Sequence, residues 1–412
     1  MVASTDIKFY VHSNKNAPQL ENAWGALAGV LDSCLITGYN APTITSASAS
    51  NNALTLNFGE NHNLLAGQVL LISGSTQPEY NREFRIANIP TLSTVQIDLD
   101  NTFTSQPTGV LKAMLPPLGW VKEFSNGGKR AYRNANRNNT SRPFLRVVDQ
   151  IDPVWGSTYA KYAKVGIVEN MIDIDTLLGL QTPYDMVNPD KNWIGTGAGD
   201  TAYNGWAKWY YSRVRDVYVN NFYDSEGGSA INKRWLIVGN GDWFYVLPSQ
   251  IDSSYPNIYF FGELKTNTGE VYGLGSTLGH FPANSNNATA TKTALSSGAA
   301  SFLLHMGETS GIRAFGMQSG NNDGPGGLPI WYENINAGLV LSDVYVGCVS
   351  KSIAYRAKMP AFKWLMNPYD ANYELKTVED TDTAYILKSV YASASATTSG
   401  PTTFGLVGFK LY

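Results

Sequence analysis

Residues Lys8–Tyr39 read KFYVHSNKNAPQLENAWGALAGVLDSCLITGY, and the organisation of the chain is most easily understood from this stretch. Its first part, Ile7 to Val11, is typical of a strand. Residues 18–37 then carry apolar side chains at the three- and four-residue spacing of one helical face, at Leu20, Trp24, Leu27, Val30, Leu31 and Leu35. Pro18 suits a first helical turn and Gly38 suits a helix end. The sequence therefore predicts a strand followed by an amphipathic helix.

The residues after this helix differ from it in pattern. Residues 40–115 contain segments such as ITSASASNNALTLNF and LAGQVLLISGS, which alternate like strands and are separated by turn residues. Roughly five short strands of this kind suit a small β-barrel or sandwich. Pro116 and Pro117 then form a stiff link. We predict a discontinuous main body, 1–39 plus 116–412, with room for two subdomains, and an inserted small β domain at 40–115.

If that division is right, Asn40 and Pro116 lie close together, and the helix packs on strands within 119–148. From Leu118 onward, strand-like runs alternate with Gly, Asn and Pro turns, and no long helix is indicated. The predicted fold class is mainly β, of β-sandwich or β-barrel-like type, with few helices.

The composition indicates a packed protein with a weakly charged surface. Of the 412 residues, 43% are hydrophobic and only 15% are charged, and the net charge is −3. Such a surface suits a protein covered by neighbours, and it suits some secreted β-proteins equally well. A net charge of −3 does not indicate the basic surface that binds nucleic acid or an anionic membrane, so we expect neither as a partner.

Aromatic residues are abundant, with 24 Tyr, 16 Phe and 10 Trp. Tyr and Trp favour interfaces and glycan-binding faces, while β-rich cores also use aromatics freely. The two cysteines, Cys34 and Cys348, are predicted to be buried free thiols. The start of the sequence lacks the pattern of a signal peptide, and no segment approaches the ~20 apolar residues of a membrane span. We therefore expect folding in a cytoplasm.

The most basic stretch follows the Gly127-Gly128 turn. It contains Lys129, Arg130, Arg133, Arg137, Arg142 and Arg146, interleaved with Tyr132 and Phe144. A nucleic-acid-binding surface can have this pattern. A solvated hairpin with outward charges has it too, and we favour that interpretation.

No known catalytic motif occurs in the sequence with its full pattern. The histidines, His12, His62, His280 and His305, do not occur at metal-ligand spacing. Gly275–Gly279, GSTLG, places its serine wrongly for a nucleophile elbow. Asp173 and Asp175 resemble the aspartate pair of phosphoryl-transfer enzymes but lack the glycine that normally follows, so an acidic turn is the better interpretation. Gly195–Gly199, GTGAG, lacks the Lys-Ser/Thr of a phosphate-binding loop and is predicted to be a plain loop.

Glycoside hydrolysis needs only two carboxylates close in space, and the sequence offers no positive evidence for such a pair. We therefore assign no catalytic, cofactor-binding or metal-binding residue, expect no cofactor, and predict that the chain is not an enzyme.

Several short phrases occur in order along most of the chain. They are Ala17-Pro18, GAL at 25–27, VLDSCLITGY at 30–39, GWVKEF at 119–124, AYR at 131–133, FLRVVD at 144–149, the turn at 173–176, WLIVG at 235–239 with WFY at 243–245, and YFFGE at 259–263. In this order they resemble phrases of a family of tailed-bacteriophage virion structural proteins. The first phrases and GWVKEF are usually closer together in that family. Residues 40–115 instead resemble the small β modules of phage tail and fibre proteins.

This resemblance implies a non-enzymatic component of a viral particle, in the tail, baseplate or collar, assembled in the host cytoplasm. It implies other virion proteins as partners and a homo-oligomer in a symmetric assembly. Two alternatives stay open. One is a decoration or receptor-binding module on the particle surface that binds host-surface glycans, and the other is a polysaccharide-degrading tail protein.

Overall fold

The structure is a computed structural model, and it describes residues 3–100, 103, 105–136, 141–198, 205–213, 227–249, 258–266, 269–278, 302–305, 314–319, 340–347, 356–365, 371–380, 382–393 and 403–412. Strands dominate this part of the chain.

In chain order the strands are β1 (Lys8–Val11), β2 (Tyr39–Asn40), β3 (Ile44–Ser50), β4 (Ala53–Phe58), β5 (Val69–Ser75), β6 (Glu83–Thr91), β7 (Thr94–Asp98), β8 (Gly109–Leu115), β9 (Val121–Asn126), β10 (Lys129–Arg133), β11 (Phe144–Val148), β12 (Lys161–Met171), β13 (Leu177–Thr182), β14 (Ala207–Ser212), β15 (Trp235–Gly239), β16 (Trp243–Pro248), β17 (Tyr259–Thr266), β18 (Gly269–Gly275), β19 (Thr277–Leu278), β20 (Phe302–His305), β21 (Ala314–Ser319), β22 (Leu341–Gly347), β23 (Arg356–Leu365), β24 (Thr377–Asp380), β25 (Thr383–Ser393) and β26 (Thr403–Lys410). The helical elements are α1 (Ala26–Asp32), a π-helical turn (Ser33–Thr37) and 3-10 turns at Pro78–Tyr80, Pro189–Asn192 and Ala371–Tyr373. The predicted mainly β fold class is confirmed.

These strands form three antiparallel sheets. Sheet 1 has the spatial order β1-β15-β16-β17-β18-β20-β21-β22-β23-β26-β25-β24, with a further pairing of β17 and β23. Sheet 2 has the order β19-β14-β12-β11-β10-β9, and β13 pairs with β12. Sheet 3 has the order β2-β8-β5-β6-β7-β4-β3 and uses only strands between Tyr39 and Leu115.

The helix is shorter than the apolar spacing predicts. It begins at Ala26, after Gly25 with a φ of 88°, and not at Pro18. Leu20 forms a backbone bridge with Lys233, and the indole N–H of Trp235 donates to the carbonyl of Pro18 at 3.1 Å. Because this backbone is committed to the segment that enters β15, it cannot follow a helical path. Five of the six apolar residues are buried as expected and Trp24 is half-buried, and the first two of the six lie in an irregular segment.

The helical stretch, which is α1 together with the π-helical turn Ser33–Thr37, ends where the sequence predicts. Gly38 has a φ of 68°, and a Cβ atom there would lie 2.4 Å from the carbonyl oxygen of Leu115. Only glycine fits this close approach of two backbones. Just before it, Cys34 is a buried free thiol, as predicted, and burial raises its pKa. Cys348 lies outside the described residues.

The helix packs on the strands that follow residue 116, as expected. Leu27 and Leu31 are fully buried in the same core as Leu145 and Val147 of β11. The indole of Trp24, in the irregular segment before the helix, meets the ring of Tyr162 edge-on at 5.4 Å between centroids. The two parts of the chain on either side of sheet 3 therefore share one hydrophobic core.

Two carboxylates fix this helix to sheet 2, one next to a strand of the sheet and the other on the helix itself. Asp149, just after β11, accepts the backbone N–H of Ala28 at 3.0 Å and the hydroxyl of Tyr211 at 2.7 Å. In the other direction, Asp32 of the helix accepts from the side chains of Lys122, Arg130 and Tyr132. Asp149 is buried, and burial is the main cause that raises its pKa to about 6.

The ends of sheet 3 lie side by side. Tyr39 pairs with Leu115, and Asn40 pairs with Met114, so residue 40 and residue 116 are neighbours in space. The core is not separate, however, since Leu54 and Ile72 of sheet 3 belong to the same cluster as Leu145. The division into an inserted domain and a main body stays a prediction.

A buried pair of amides joins sheet 3 to the first strand. The side chains of Asn14 and Gln68 exchange two hydrogen bonds, of 3.0 and 2.8 Å. Gln68 also donates to the carbonyl of Phe9 in β1 at 3.1 Å. A buried amide without a hydrogen-bond partner is costly, so the segment that carries Asn14 and the segment that carries Gln68 stabilise each other.

Arg85 of β6 makes the most extensive of these connections. Its guanidinium donates to the carbonyls of Ser4, Ile7, Gly67 and Leu411. It also lies 5.2 Å from the ring centroid of Tyr412. The side chain is buried, and its pKa falls to about 10, chiefly because burial disfavours the charged form. One side chain therefore links sheet 3 to residues next to β1 and to residues next to β26.

We predict that Arg85→Ala lowers the free energy of unfolding by about 3 kcal/mol or more, because it leaves buried carbonyl groups without donors. Chemical denaturation monitored by tryptophan fluorescence measures the change. Lys112→Ala, at an exposed position on β8 of the same sheet, is the matched control and is expected to stay within about 0.5 kcal/mol of the wild type. Equal effects of the two substitutions would contradict the proposed importance of Arg85.

We also predict a pH-dependent effect of Asp149→Asn. The folded-state pKa of about 6 lies above the unfolded value, so the folded state binds the proton more tightly. Its contribution to stability is complete below about pH 4 and is lost as the pH rises through 6. The stability of the wild type relative to Asp149→Asn should therefore fall by about 2 kcal/mol between pH 4 and pH 7.

Denaturation of both proteins at a series of pH values measures this difference. A constant difference across the range, or one with the opposite slope, would contradict it.

Candidate functional site

The aspartate pair of the phosphoryl-transfer interpretation forms a turn. Asp173 accepts the backbone N–H groups of Asp175 and Thr176, both at 2.8 Å, and the hydroxyl of Thr176. These bonds lower the pKa of Asp173. Asp175 instead pairs with Lys129 and Arg146 at 2.6 and 2.8 Å. Both carboxylates therefore stabilise the β12–β13 connection, as the acidic-turn interpretation predicts.

The glycine-rich loop is held by a buried ion pair. Asp152 accepts the backbone N–H of Gly195 at 2.8 Å and pairs with Lys164, which also donates to the carbonyl of Trp193 at 2.5 Å. Both charged side chains are buried. The backbone N–H of Gly195, which a bound phosphate would need as a donor, is therefore already bonded to the carboxylate of Asp152. In the described part of this loop, up to residue 198, the arrangement is that of a structural loop.

The basic stretch is largely paired within the chain. Arg130 binds Asp32, Arg133 binds Glu123, and Arg142 donates to the carbonyl of Asn134. Arg146 is 4% exposed and lies 4.5 Å above the ring of Trp193, so it does not point outward as the solvated-hairpin interpretation expects. The ion pair with Asp175 allows the guanidinium of Arg146 to be buried. Arg137 lies outside the described residues.

The described histidines have separate structural surroundings. His62 accepts the backbone N–H of Leu64 at 2.9 Å, and His305 lies 3.0 Å from the hydroxyl of Thr182. Burial lowers the pKa of His12, His62 and His305. In the described part of the chain, no three His, Cys, Asp or Glu side chains are grouped to hold a metal. His280 and Gly279 fall outside that part.

Most described aromatic side chains are in the cores. Trp209 stacks on Tyr259 at 5.7 Å between ring centroids, and Tyr245 contacts both Phe362 and Phe409. Among the aromatic residues whose side-chain exposure the structure describes, Tyr373 has the largest, at 37%. Of the two uses that the composition left open, core packing accounts for these rings.

One cleft lies beside Arg85, with a volume of about 190 Å³. Its wall includes Asp98, Glu379, Thr377 and Tyr412. The guanidinium is already bonded to main-chain carbonyls, and Thr377 donates to the carbonyl of Ala66 at 2.8 Å. The cleft therefore lies at the boundary between sheet 3 and sheet 1, which we call the seam. Arg85 and Thr377 form hydrogen bonds across this boundary.

Exposed apolar side chains are concentrated in one stretch of the sequence, from residue 172 to residue 194, which contains β13. Of eleven large hydrophobic residues that are exposed in the described chain, five fall between 172 and 194: Ile172, Leu178, Met186, Val187 and Ile194. We call these five side chains, with the segments that carry them, the 172–194 surface. Val187 is 83% exposed and Met186 is 63% exposed. Single exposed apolar residues are ordinary, whereas a contiguous apolar patch is typical of an interaction site.

The backbone beneath this surface is well fixed. Asp185 accepts the N–H groups of Val187 and Asn188, and the N–H groups of Trp193 and Ile194 both donate to the carbonyl of Asp190. The indole of Trp193 is buried in a small core with Met171, Ile174, Phe144 and Val168. Its N–H also donates to Gln181 of β13 at 3.0 Å. The loop is therefore anchored to β12 and β13, and its exposed side chains are presented on a fixed support.

Sequence reasoning missed this surface. The signal was present, because Met186-Val187 interrupts the turn-forming residues of YDMVNPDKN at 184–192. An apolar pair between turn residues has no helical or strand period to explain it. Arg85 was missed as well, since its partners are distant in sequence and no local pattern indicates them.

No protein-family profile matches this chain, and a comparison with curated proteins found no match. Within the described ranges, no helix combines the length and apolar character that crossing a bilayer requires.

We predict that Lys164→Met lowers the free energy of unfolding by about 3–5 kcal/mol, because it leaves the carboxylate of Asp152 buried without a counter-ion. The double variant Asp152→Asn, Lys164→Met should recover at least half of this loss, since an asparagine still accepts the N–H of Gly195. Thermal and chemical denaturation of the three proteins measures the difference. A double variant less stable than Lys164→Met would show that the charge balance is not the cause.

Proposed function

We propose that this chain is a non-enzymatic structural component of a bacteriophage particle, in the tail, baseplate or collar, and that it acts through protein–protein contacts in a symmetric assembly. The proposal joins two independent lines of support. One is the order of short phrases that resemble those of virion structural proteins. The other is the surface chemistry of the described chain.

The observation that carries the proposal is the 172–194 surface. Five large apolar side chains lie exposed on a segment whose backbone is fixed by Asp185, Asp190 and Trp193. Burial of apolar surface contributes roughly 25 cal/mol per Å², so covering these side chains favours association. A fixed backbone also loses little conformational entropy on binding. Both properties suit a subunit that works by contact.

The buried charges support the same function. Arg85, Arg146, Lys164, Asp149 and Asp152 are all taken up by contacts inside the chain. They join sheets and loops to one another, as a rigid building block requires. The candidate motifs for phosphoryl transfer and phosphate binding are also committed to internal bonds, so they give no support to an enzyme.

The glycan-binding alternative receives less support. It depends on exposed aromatic side chains, and among those whose exposure the structure describes the largest value is 37%, at Tyr373. A glycan array with the purified chain tests it directly. Specific glycan binding together with the absence of the chain from particles would favour this alternative over a structural role.

We predict that the chain is present in mature particles at a constant copy number. Quantitative mass spectrometry of particles purified through two successive density gradients measures the ratio of the chain to the major capsid protein. The ratio should not change between the two gradients, whereas an abundant host cytoplasmic protein, the control, should decrease. Loss of the chain in parallel with the host protein would reject the proposed function.

A further inference from the structure

We propose that Asn126 is a site of self-catalysed deamidation, in which the side-chain amide is converted to a carboxylate, and that the fold protects Asn240 from the same reaction. Asparagine followed by glycine is prone to this change, because glycine has no side chain to obstruct the approach of its backbone nitrogen. The sequence contains three such pairs, at 126–127, 204–205 and 240–241. Asn204 lies outside the described residues. The reaction is independent of the proposed function.

The reaction needs only the chain and water. The backbone nitrogen of Gly127 attacks Cγ of Asn126, the new N–Cγ bond closes a five-membered succinimide ring, and the Cγ–Nδ2 bond breaks. The proton of the Gly127 N–H leaves with the side-chain nitrogen, which departs as ammonia. Water then opens the ring at one of its two carbonyl carbons, which gives aspartate or isoaspartate. Nothing is oxidised or reduced.

The surroundings of Asn126 leave both reacting groups free. Asn126 ends β9, the last strand in the order of sheet 2, and it pairs with Lys129 across the turn. Asn126 and Gly127 are both exposed. Within the described ranges, neither the side chain of Asn126 nor the N–H of Gly127 has a hydrogen-bond partner. The side chain can therefore turn towards the nitrogen, and a terminal pair at a sheet edge opens at low cost.

The glycine side of the turn is held in place. Gly127 has a φ of 55°, and its carbonyl accepts from Arg130 at 2.6 Å. The carbonyl of Gly128 accepts the N–H of Asp149 at 2.9 Å. The attacking nitrogen therefore sits in a formed turn while the asparagine side chain beside it rotates.

The second pair has the same sequence and the opposite surroundings. Asn240 is 9% exposed. Its Nδ2 donates to Asp6 at 3.0 Å, and its Oδ1 accepts the N–H groups of Asp242 and Trp243 at 2.9 and 3.2 Å. Rotation of this side chain towards the nitrogen of Gly241 would break these bonds in a buried site, which is costly. The fold, and not the local sequence, therefore selects Asn126.

Deamidation at Asn126 changes a hairpin that supports the helix. Isoaspartate places an additional carbon in the main chain at the end of β9, where Asn126 pairs with Lys129. Arg130 and Tyr132 of the same hairpin bind Asp32 of the helix. We therefore expect the modification to weaken the hairpin where it holds α1.

Incubation of the purified full chain at 37 °C and pH 8, followed by peptide mass spectrometry, measures the rate at each asparagine. Digestion at acidic pH prevents further deamidation, and labelling by an isoaspartyl methyltransferase identifies isoaspartate. The same measurement on the chain unfolded in guanidinium chloride is the matched control, because it keeps both Asn-Gly sequences and removes the fold. Asn126→Gln is the control variant, since glutamine cannot close the five-membered ring.

In the folded chain, we expect Asn126 to be converted at least tenfold faster than Asn240, with isoaspartate among the products and no labelled product at position 126 in Asn126→Gln. In guanidinium chloride the two rates should agree within threefold. Equal rates in the folded chain would overturn the proposal. A difference of the same size in guanidinium chloride would also overturn it, because the local sequence and not the fold would then be the cause.

Discussion

The guanidinium of Arg85 is the interaction on which the arrangement of the sheets depends. From sheet 3 it donates to two separate segments that flank strands of sheet 1, at the carbonyls of Ser4 and Ile7 before β1 and of Leu411 after β26. β1 and β24 are the first and last strands in the order of sheet 1, and both also contact the 66–68 loop of sheet 3, through Phe9 and Thr377. Sheet 3 therefore holds the two edges of the largest sheet. A buried guanidinium suits this role because its donors point in several fixed directions at once.

The same principle recurs at the other junctions of the chain. Asp149 binds the first turn of the helix, Gln68 and Asn14 bind each other, and Asp152 with Lys164 holds the glycine-rich loop. Each is a buried polar group that is satisfied only when two distant segments meet, which makes the correct arrangement much more favourable than a partly formed one. A chain with few charges can thus hold distant segments in a fixed arrangement.

Local pattern was sufficient to predict the strands, the stop at Gly38 and the burial of Cys34, because each depends on neighbours in sequence. It failed at residues 18–25, where the apolar spacing is helical but the backbone of Leu20 is used by Lys233. It also failed for Arg146, whose burial depends on Asp175 and on the ring of Trp193. Arg85 illustrates the general limit, since its acceptors lie 81 and 326 residues away. Long-range polar contacts leave no period in the sequence.

Hydrogen exchange of the wild-type protein tests directly whether sheet 3 and sheet 1 form one unit. The informative amides are those of Gly67, which donates to Ile86, and of Leu411, which donates to Ala384. If Arg85 joins the two sheets as described, both amides exchange with the same opening free energy and respond equally to low concentrations of denaturant. If the opening free energy of the Gly67 amide is much lower than that of the Leu411 amide, sheet 3 opens independently of sheet 1. That result would contradict the account.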